Sequence, residues 1–176
     1  MLLIGIFCVL LIVILITTVL LLSQRNGEES DGKLYDLNNF SCPTRLPFTI
    51  SSQFGNRWGT FHAGVDIVGV ELRGSNIYTI ADGVVARVIF TDEYNHDGNY
   101  VVIRHDDNIY SLYRNLSEVT VSEGQDVNKS TQIARFSDDD SGAFLHVGLY
   151  IGEFAKNENA INPALLIYCI NQAVKQ

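Results

Sequence analysis

Apolar and polar positions divide the chain into two parts. Leu2 to Leu22 contains no charged residue, and as a helix this run would rise about 31 Å, the thickness of a bilayer's hydrocarbon core. A short polar stretch with Gly27 and Gly32 follows. Beyond it, short apolar runs alternate with turn residues. We therefore expect a transmembrane helix at 1–23, a linker at 24–41 and a folded domain at 42–176.

Nearly all of the folded part is predicted to be β-structure. Its apolar runs are short, rich in Val, Ile, Tyr and Thr, and bounded by turn residues, which is typical of strands. The predicted strands are Ile77–Ile80, Val84–Phe90, Tyr100–His105, Ile109–Arg114, Glu118–Val121, Gln132–Phe136 and Phe144–Ile151. The expected fold class is all-β, with an antiparallel sheet as its core.

Turn and cap signals complete this picture. Asp82-Gly83 and Asp97-Gly98 are hairpin signals, because such pairs accept the positive φ angles of tight turns. One short C-terminal helix is expected, with Asn162 as its cap, Pro163 at its first position and Ala164–Val174 as its body.

The apolar N-terminal run has an alternative interpretation as a cleaved signal peptide. It is too long for a typical h-region, lacks a basic n-region and is not followed by a small-x-small site, so a membrane anchor is favoured. Arg25 and Lys33 follow the run, and by the positive-inside rule they weakly favour a cytoplasmic C-terminal domain.

Charge and cysteine content narrow the partners and the compartment. The net charge is −8, and the basic residues are scattered singly, so no cluster exists that could follow a nucleic-acid backbone. Cys42 and Cys169 flank the folded domain. In an oxidising compartment they could form a disulfide, and otherwise they are two thiols.

The candidate chemistry lies in His62, Asp66 and His146. Two imidazoles and one carboxylate are a sufficient protein ligand set for a catalytic-type zinc ion. On a straight strand His62 and Asp66 would lie about 13 Å apart, so the backbone between them must bend, and Gly64 permits a bend. The alternative is a set of hydrogen-bonded structural histidines, and the spacing alone leaves both interpretations open.

The residues around these three form an ordered series of motifs. They are SSQFGNRWG at 51–59, HAGVDI at 62–67, IYTIADGVV at 77–85, GNYVVIRH at 98–105, YSLYRNL at 110–116, GAFLH at 142–146 and NP at 162–163. Over residues 47–167 the chain resembles the LytM-type, lysostaphin-like zinc endopeptidases of bacterial cell walls.

The resemblance implies an antiparallel β-core with a narrow groove and a Zn²⁺ ion held by His62, Asp66 and His146. It also implies activity toward peptide bonds of peptidoglycan. Finally, it places the C-terminal domain outside the cytoplasm of a single-pass membrane protein, against the weak signal from the flanking charges.

Two positions depart from the family pattern. Asn115 stands where the family has the histidine of Tyr-x-His-Leu, and Phe144 replaces the first histidine of His-x-His. The resemblance assigns proton handling to those two histidines, and loss of one positioned acid–base group typically costs ~10²–10⁴-fold in rate. We therefore expect an inactive, membrane-anchored member that binds an envelope protein or peptidoglycan. The alternatives are an active zinc endopeptidase and a domain kept only as a structural module of the envelope.

Several residues are candidates for recognition at the groove. They are Trp58, Tyr113, Asn115 and Phe144, together with the acidic run Asp138, Asp139 and Asp140. The acidic run could dock a basic partner or a cation, or it could be an ordinary solvated loop. Trp58 could line the groove mouth or lie at the edge of the core.

Overall fold

A computed structural model describes residues 40–91, 98–105, 108–138 and 143–164. The chain separates into units 1–36 and 37–176, and all the described residues belong to the second. The predicted transmembrane helix and nearly all of the linker lie outside the described residues, as does the predicted terminal helix beyond Ala164. Within the described ranges, no helix has the length and apolar character that crossing a membrane requires.

The described residues form an antiparallel β-fold, which confirms the expected class. The strands are β1 (Thr49–Ser52), β2 (Gly55–Arg57), β3 (Thr60–His62), β4 (Gly64–Val68), β5 (Asn76–Tyr78), β6 (Gly83–Ile89), β7 (Asn99–Arg104), β8 (Ile109–Val119), β9 (Asp126–Val127), β10 (Gln132–Phe136), β11 (Leu145–Ile151) and β12 (Ala160–Ile161). Short 3₁₀ segments occur at Val70–Leu72 and Asn157–Asn159.

One large sheet carries most of these strands, in the order β1-β4-β11-β8-β7-β6-β9. Strand β10 joins it through β8 and also pairs with β5, while β12 pairs with β11. Strands β2 and β3 form a separate hairpin. Asn162 accepts a hydrogen bond from the amide of Ala164 at 2.9 Å, the contact expected of a helix cap.

Two predictions about local structure are wrong. The two strands expected at 109–114 and 118–121 are one continuous strand, β8, because its first part pairs with β7 and β11 and its last part with β10. Asp82-Gly83 does not close a hairpin either, since β5 pairs with β10 while β6 pairs with β7 and β9. A turn signal fixes a change of direction but not the partner of the next strand.

The sheet has two chemically different faces. The core face carries the fully buried Val65, Val101, Tyr113 and Val147. The opposite face, here called the groove face, carries a transverse row in which each residue pairs with the next: Asp66 with His146, His146 with Arg114, Arg114 with Tyr100, and Tyr100 with Ile89. Side chains alternate between the two faces along each strand.

A β-bulge in β8 breaks this alternation next to His146. Asn99 pairs with Leu116 and Tyr100 with Arg114, so Asn115 is the extra residue. It adopts a φ of 67°. Tyr113 and Leu116 are both buried although they are three residues apart, so the bulge turns both Arg114 and Asn115 away from the core face.

Candidate metal site and groove

The structure brings His62, Asp66 and His146 together. The register of β4 and β11 places Asp66 directly opposite His146, while His62 arrives from the end of the β2–β3 hairpin. Nε2 of His62 lies 3.1 Å from Oδ1 of Asp66 and 3.1 Å from Nδ1 of His146. Nδ1 of His146 lies 2.9 Å from the same Oδ1. Three ligand atoms therefore converge on one point.

A backbone carbonyl fixes the orientation of the His62 ring. Nδ1 of His62 lies 2.8 Å from the carbonyl oxygen of Gln53. Because a carbonyl can only accept, Nδ1 carries the proton and Nε2 turns its lone pair toward Asp66 and His146. A histidine that ligates a metal is oriented by its other nitrogen in the same way.

Nε2 of His62, Oδ1 of Asp66 and Nδ1 of His146 have too few protons among them to form hydrogen bonds along all three contacts. With neutral imidazoles, at most one proton, on Nδ1 of His146, lies between the three acceptor atoms. A cation placed among them satisfies all three. A tetrahedral zinc ion with bonds of 2.0–2.1 Å separates its ligands by roughly 3.3 Å, and the separations here are 2.9–3.1 Å. The donor set and its spacing therefore fit zinc.

The carboxylate of Asp66 is held in its charged form. Burial pushes its pKa upward, but the hydrogen bond with His146, the positive charges that His62 and His146 carry when they are protonated, and the charge of Arg57 outweigh burial, so the pKa lies below its ordinary value. Nη1 of Arg57 lies 3.8 Å from Oδ2 of Asp66 and also contacts Oγ of Ser52. Arg57 thus ties the hairpin to both neighbouring strands.

Gly64 is needed for a reason other than the one expected. It is not among the glycines with positive φ, and the chain passes from the hairpin into the large sheet at Ala63, the single residue between β3 and β4. A Cβ on Gly64 would lie 2.7 Å from Cε1 of His146 and would overlap the carbonyl oxygen of Val147. The absence of a side chain makes room for the His146 ring.

Asn115 and Phe144 lie side by side. Nδ2 of Asn115 donates a hydrogen bond of 2.8 Å to the carbonyl oxygen of Phe144. A Cβ on Gly98 would lie 2.7 Å from Cα of Asn115, so Gly98 permits this close approach. Phe144 is 37% exposed and directly precedes β11. Neither residue carries a group that exchanges a proton near neutral pH.

The other predicted recognition residues differ in their position and exposure. Tyr113 does not face the groove, because it is fully buried on the core face. Trp58 is 96% exposed, so it is not a core-edge residue. Trp58 and Gly59 both have positive φ and form the two-residue loop of the β2–β3 hairpin. Asp138 is exposed, and Asp139 and Asp140 lie outside the described residues.

Some parts of the site gave no sequence signal. The carbonyl of Gln53 is a backbone atom, so the identity of the side chain at that position carries no information about it. The bulge at Asn115 depends on register with another strand.

The thiol of Cys42 is partly buried, and burial raises its pKa to about 11. Its predicted disulfide partner, Cys169, lies outside the described residues.

Comparisons with known proteins give the relatives of this chain. It is 32% identical over 117 residues to the peptidoglycan DD-endopeptidase ShyA of Vibrio cholerae, covering 58% of this chain and 26% of ShyA. It is 29% identical over 155 residues to the NlpD/LppB homolog of Buchnera aphidicola, covering 84% of this chain and 42% of that protein. The chain thus spans less than half of each of these relatives.

Solved structures show the same fold. Lysostaphin from Staphylococcus simulans matches with a TM-score of 0.62 and 18% identity, over 76% of this chain and 55% of lysostaphin. A SpoIIIAH–SpoIIQ complex contains a chain that matches with a TM-score of 0.59 and 19% identity, over 72% of this chain and 99% of that one. The sequence model of peptidase family M23 matches residues 60–163, a range that includes all three clustered residues. The chain belongs to peptidase family M23.

Proposed function

We propose that this protein is a catalytically inactive M23-type protein of the bacterial cell envelope, which holds zinc and acts by binding another envelope component. One observation carries the proposal. His62, Asp66 and His146 converge on one point, while the two family positions for proton handling hold Asn115 and Phe144. The ligand set of a peptidase is thus present without its acid–base groups.

The chemistry of these residues supports inactivity. A bound zinc ion would polarise a peptide carbonyl and lower the pKa of its water to near 7. The chain must still move a proton from that water to the leaving amine. The amide of Asn115 can donate a hydrogen bond, but it cannot take up a proton, and it already donates to the carbonyl of Phe144. Phe144 offers only an apolar ring.

The place of action is part of the same proposal. The uncharged run from Leu2 to Leu22 would anchor the chain in the membrane, with the M23 domain on the outer side. The SpoIIIAH–SpoIIQ complex is consistent with this role, since in that complex a chain of the same fold is held by another protein. Peptidoglycan is the other candidate partner.

The test is zymography of the full-length chain in detergent micelles with added zinc. We expect no lytic band on peptidoglycan. The double variant Asn115→His with Phe144→His should restore lysis, and a further His62→Ala substitution should abolish it again. ShyA would serve as the positive control. A lytic band from the unaltered chain that disappears in His62→Ala would contradict the proposal.

A second candidate function is an active endopeptidase, favoured by the intact cluster and by the 32% identity to ShyA. In that case Asn115 would stabilise the oxyanion through Nδ2. The substitution Asn115→Ala separates the two candidates. If Asn115 supports catalysis, the substitution lowers the rate of peptidoglycan cleavage. If the protein is inactive, neither the unaltered chain nor the variant cleaves peptidoglycan.

A further inference from the structure

A second feature of the groove face lies at the opposite end of the strands that carry the metal cluster. It is an open groove with a volume of about 820 Å³. Arg104 pairs with Tyr110, and Tyr110 pairs with Tyr150, which lies four residues beyond His146 on the same face. The groove and the cluster therefore share one continuous surface of the sheet.

The floor of this groove is apolar. Val84, Ala86, Val102 and Tyr110 line it, and several of them pack into a cluster with Leu112 and Tyr150. Phe154 forms one wall, where its ring meets that of Tyr150 edge-on at 5.5 Å between centroids. A floor of this kind accepts apolar side chains of a ligand, and a glycine-rich cross-bridge has none to offer.

The rim of the groove carries charged side chains. Its two glutamates have partners within the described residues, and its two arginines do not. Glu123 accepts a hydrogen bond from the amide of Val88 at 3.0 Å. Glu153 pairs with Lys156 at 2.6 Å. Arg87 and Arg104 also line the groove and are exposed. Within the part of the chain that the structure describes, neither guanidinium makes an ion pair or a side-chain hydrogen bond.

The two arginines are close neighbours on one ladder. Arg87 pairs with Val102, and Arg104 follows two residues later on the same strand. The ladders therefore place two positive charges among the apolar side chains of the floor, with Arg104 between Val84 and Tyr110 and Arg87 beside Val102, in a chain whose net charge is −8. Guanidinium groups recognise carboxylates through paired N–H donors. Charge complementarity therefore selects an acidic ligand.

We propose that this groove binds an extended peptide segment of a protein partner, in which carboxylate side chains alternate with apolar ones. The carboxylates lie on Arg87 and Arg104, and the apolar side chains lie on the floor toward Phe154. This inference specifies the partner of the proposed binding function. It requires neither zinc nor the absence of catalysis.

The probes are labelled octapeptides added to the full-length chain in detergent micelles, with binding followed by fluorescence anisotropy. A peptide alternating glutamate and valine should bind, and it should bind more weakly as salt is raised. A lysine–valine peptide should not bind. A glutamate–glycine peptide should bind less tightly than the glutamate–valine peptide. Equal binding of the two acidic peptides would overturn the role of the floor.

Charge reversal tests the two arginines. The double variant Arg87→Glu with Arg104→Glu should weaken glutamate–valine binding roughly tenfold or more. A matched control, Lys129→Glu, alters charge outside the groove and should leave the affinity unchanged. Unchanged binding in the double variant, or an equal loss per charge in the control, would overturn the proposal.

A final experiment distinguishes a protein partner from peptidoglycan as the ligand of the groove. Soluble muropeptides should show no binding that depends on Arg87 and Arg104. Muropeptide binding that is lost in the double variant would assign the groove to peptidoglycan and overturn the protein partner. Lysis by the unaltered chain would refute the inactive-enzyme proposal without changing these peptide results, so the two failures are distinguishable.

Discussion

Two groups of polar side chains that include histidine lie on opposite faces of the same sheet. They differ in whether their polar atoms have hydrogen-bond partners. On the groove face, His62, Asp66 and His146 bring three acceptor atoms together with too few protons among them. On the core face, His105 and Ser111 are linked to Tyr113 in a buried chain. The surroundings of a histidine, and not its presence, distinguish a candidate metal ligand from a structural histidine.

The side chains of the core chain have hydrogen-bond partners. Nδ1 of His105 donates to the carbonyl oxygen of Asp82 at 2.8 Å. Nε2 of His105 lies 2.7 Å from Oγ of Ser111, which lies 3.0 Å from Oη of Tyr113. That phenol oxygen accepts from the amide of Ile80 at 2.8 Å. Because hydroxyls both donate and accept, the chain satisfies its members, and no cation is needed.

Removing one member from each cluster should have the largest and most different effects. Asp66→Ala should lower zinc affinity by more than ~100-fold, since even partners of ligands contribute 10–100-fold. Ser111→Ala should leave zinc binding intact but lower the free energy of unfolding by about 1–3 kcal/mol, because Tyr113 and His105 lose a buried partner. Metal analysis of the purified chain and urea denaturation measure the two effects. Equal zinc content in the two variants would refute the assignment of the ligands.

Two glycines offer a matched pair of steric tests. A Cβ on Gly64 would press on His146, and a Cβ on Gly83 would lie 3.0 Å from Nδ1 of His105. Both would also overlap a backbone carbonyl oxygen, so each alanine variant should destabilise the fold by about 1–3 kcal/mol. Only Gly64→Ala should also reduce zinc binding. Loss of zinc in Gly83→Ala would show that the two faces are coupled.

The smallest expected effect is a dependence of stability on pH. Burial raises the pKa of Tyr113 above its ordinary value near 10, against smaller opposing contributions from hydrogen bonds with Ser111, Ile80 and Thr79. The unfolded chain therefore loses this proton first. Its stabilising contribution is fully present below about pH 10 and is lost as the pH rises toward the folded pKa, by at most about 1.4 kcal/mol per pH unit.

Tyr113→Phe should flatten this alkaline decline, as measured by urea denaturation between pH 9 and 11. Tyr100 is partly exposed, and among the described residues its hydroxyl belongs to no buried hydrogen-bonded chain, so Tyr100→Phe is the control. An unchanged decline in Tyr113→Phe would show that the core chain does not govern alkaline stability.

The sequence alone determined the β-class of the domain and most of its strands. Gln132–Phe136 was predicted with its observed bounds, and the strand predicted at Val84–Phe90 is shifted by one residue at each end. Alternation and turn residues are local properties, so they can be read without knowledge of partners. The motif series also identified His62, Asp66 and His146, because the residue types and their order are written in the chain.

Tertiary structure decided what each face contains. Tyr113 lies in the same motif as Asn115, yet Tyr113 is buried in the core while the bulge turns Asn115 the other way. That bulge exists only in the register of β8 with β7. The ring of His62 is oriented by a carbonyl nine residues away, and Arg87 and Arg104 meet only through pairing of β6 with β7. Register and close approach are long-range properties, and no local pattern of residue types encodes them.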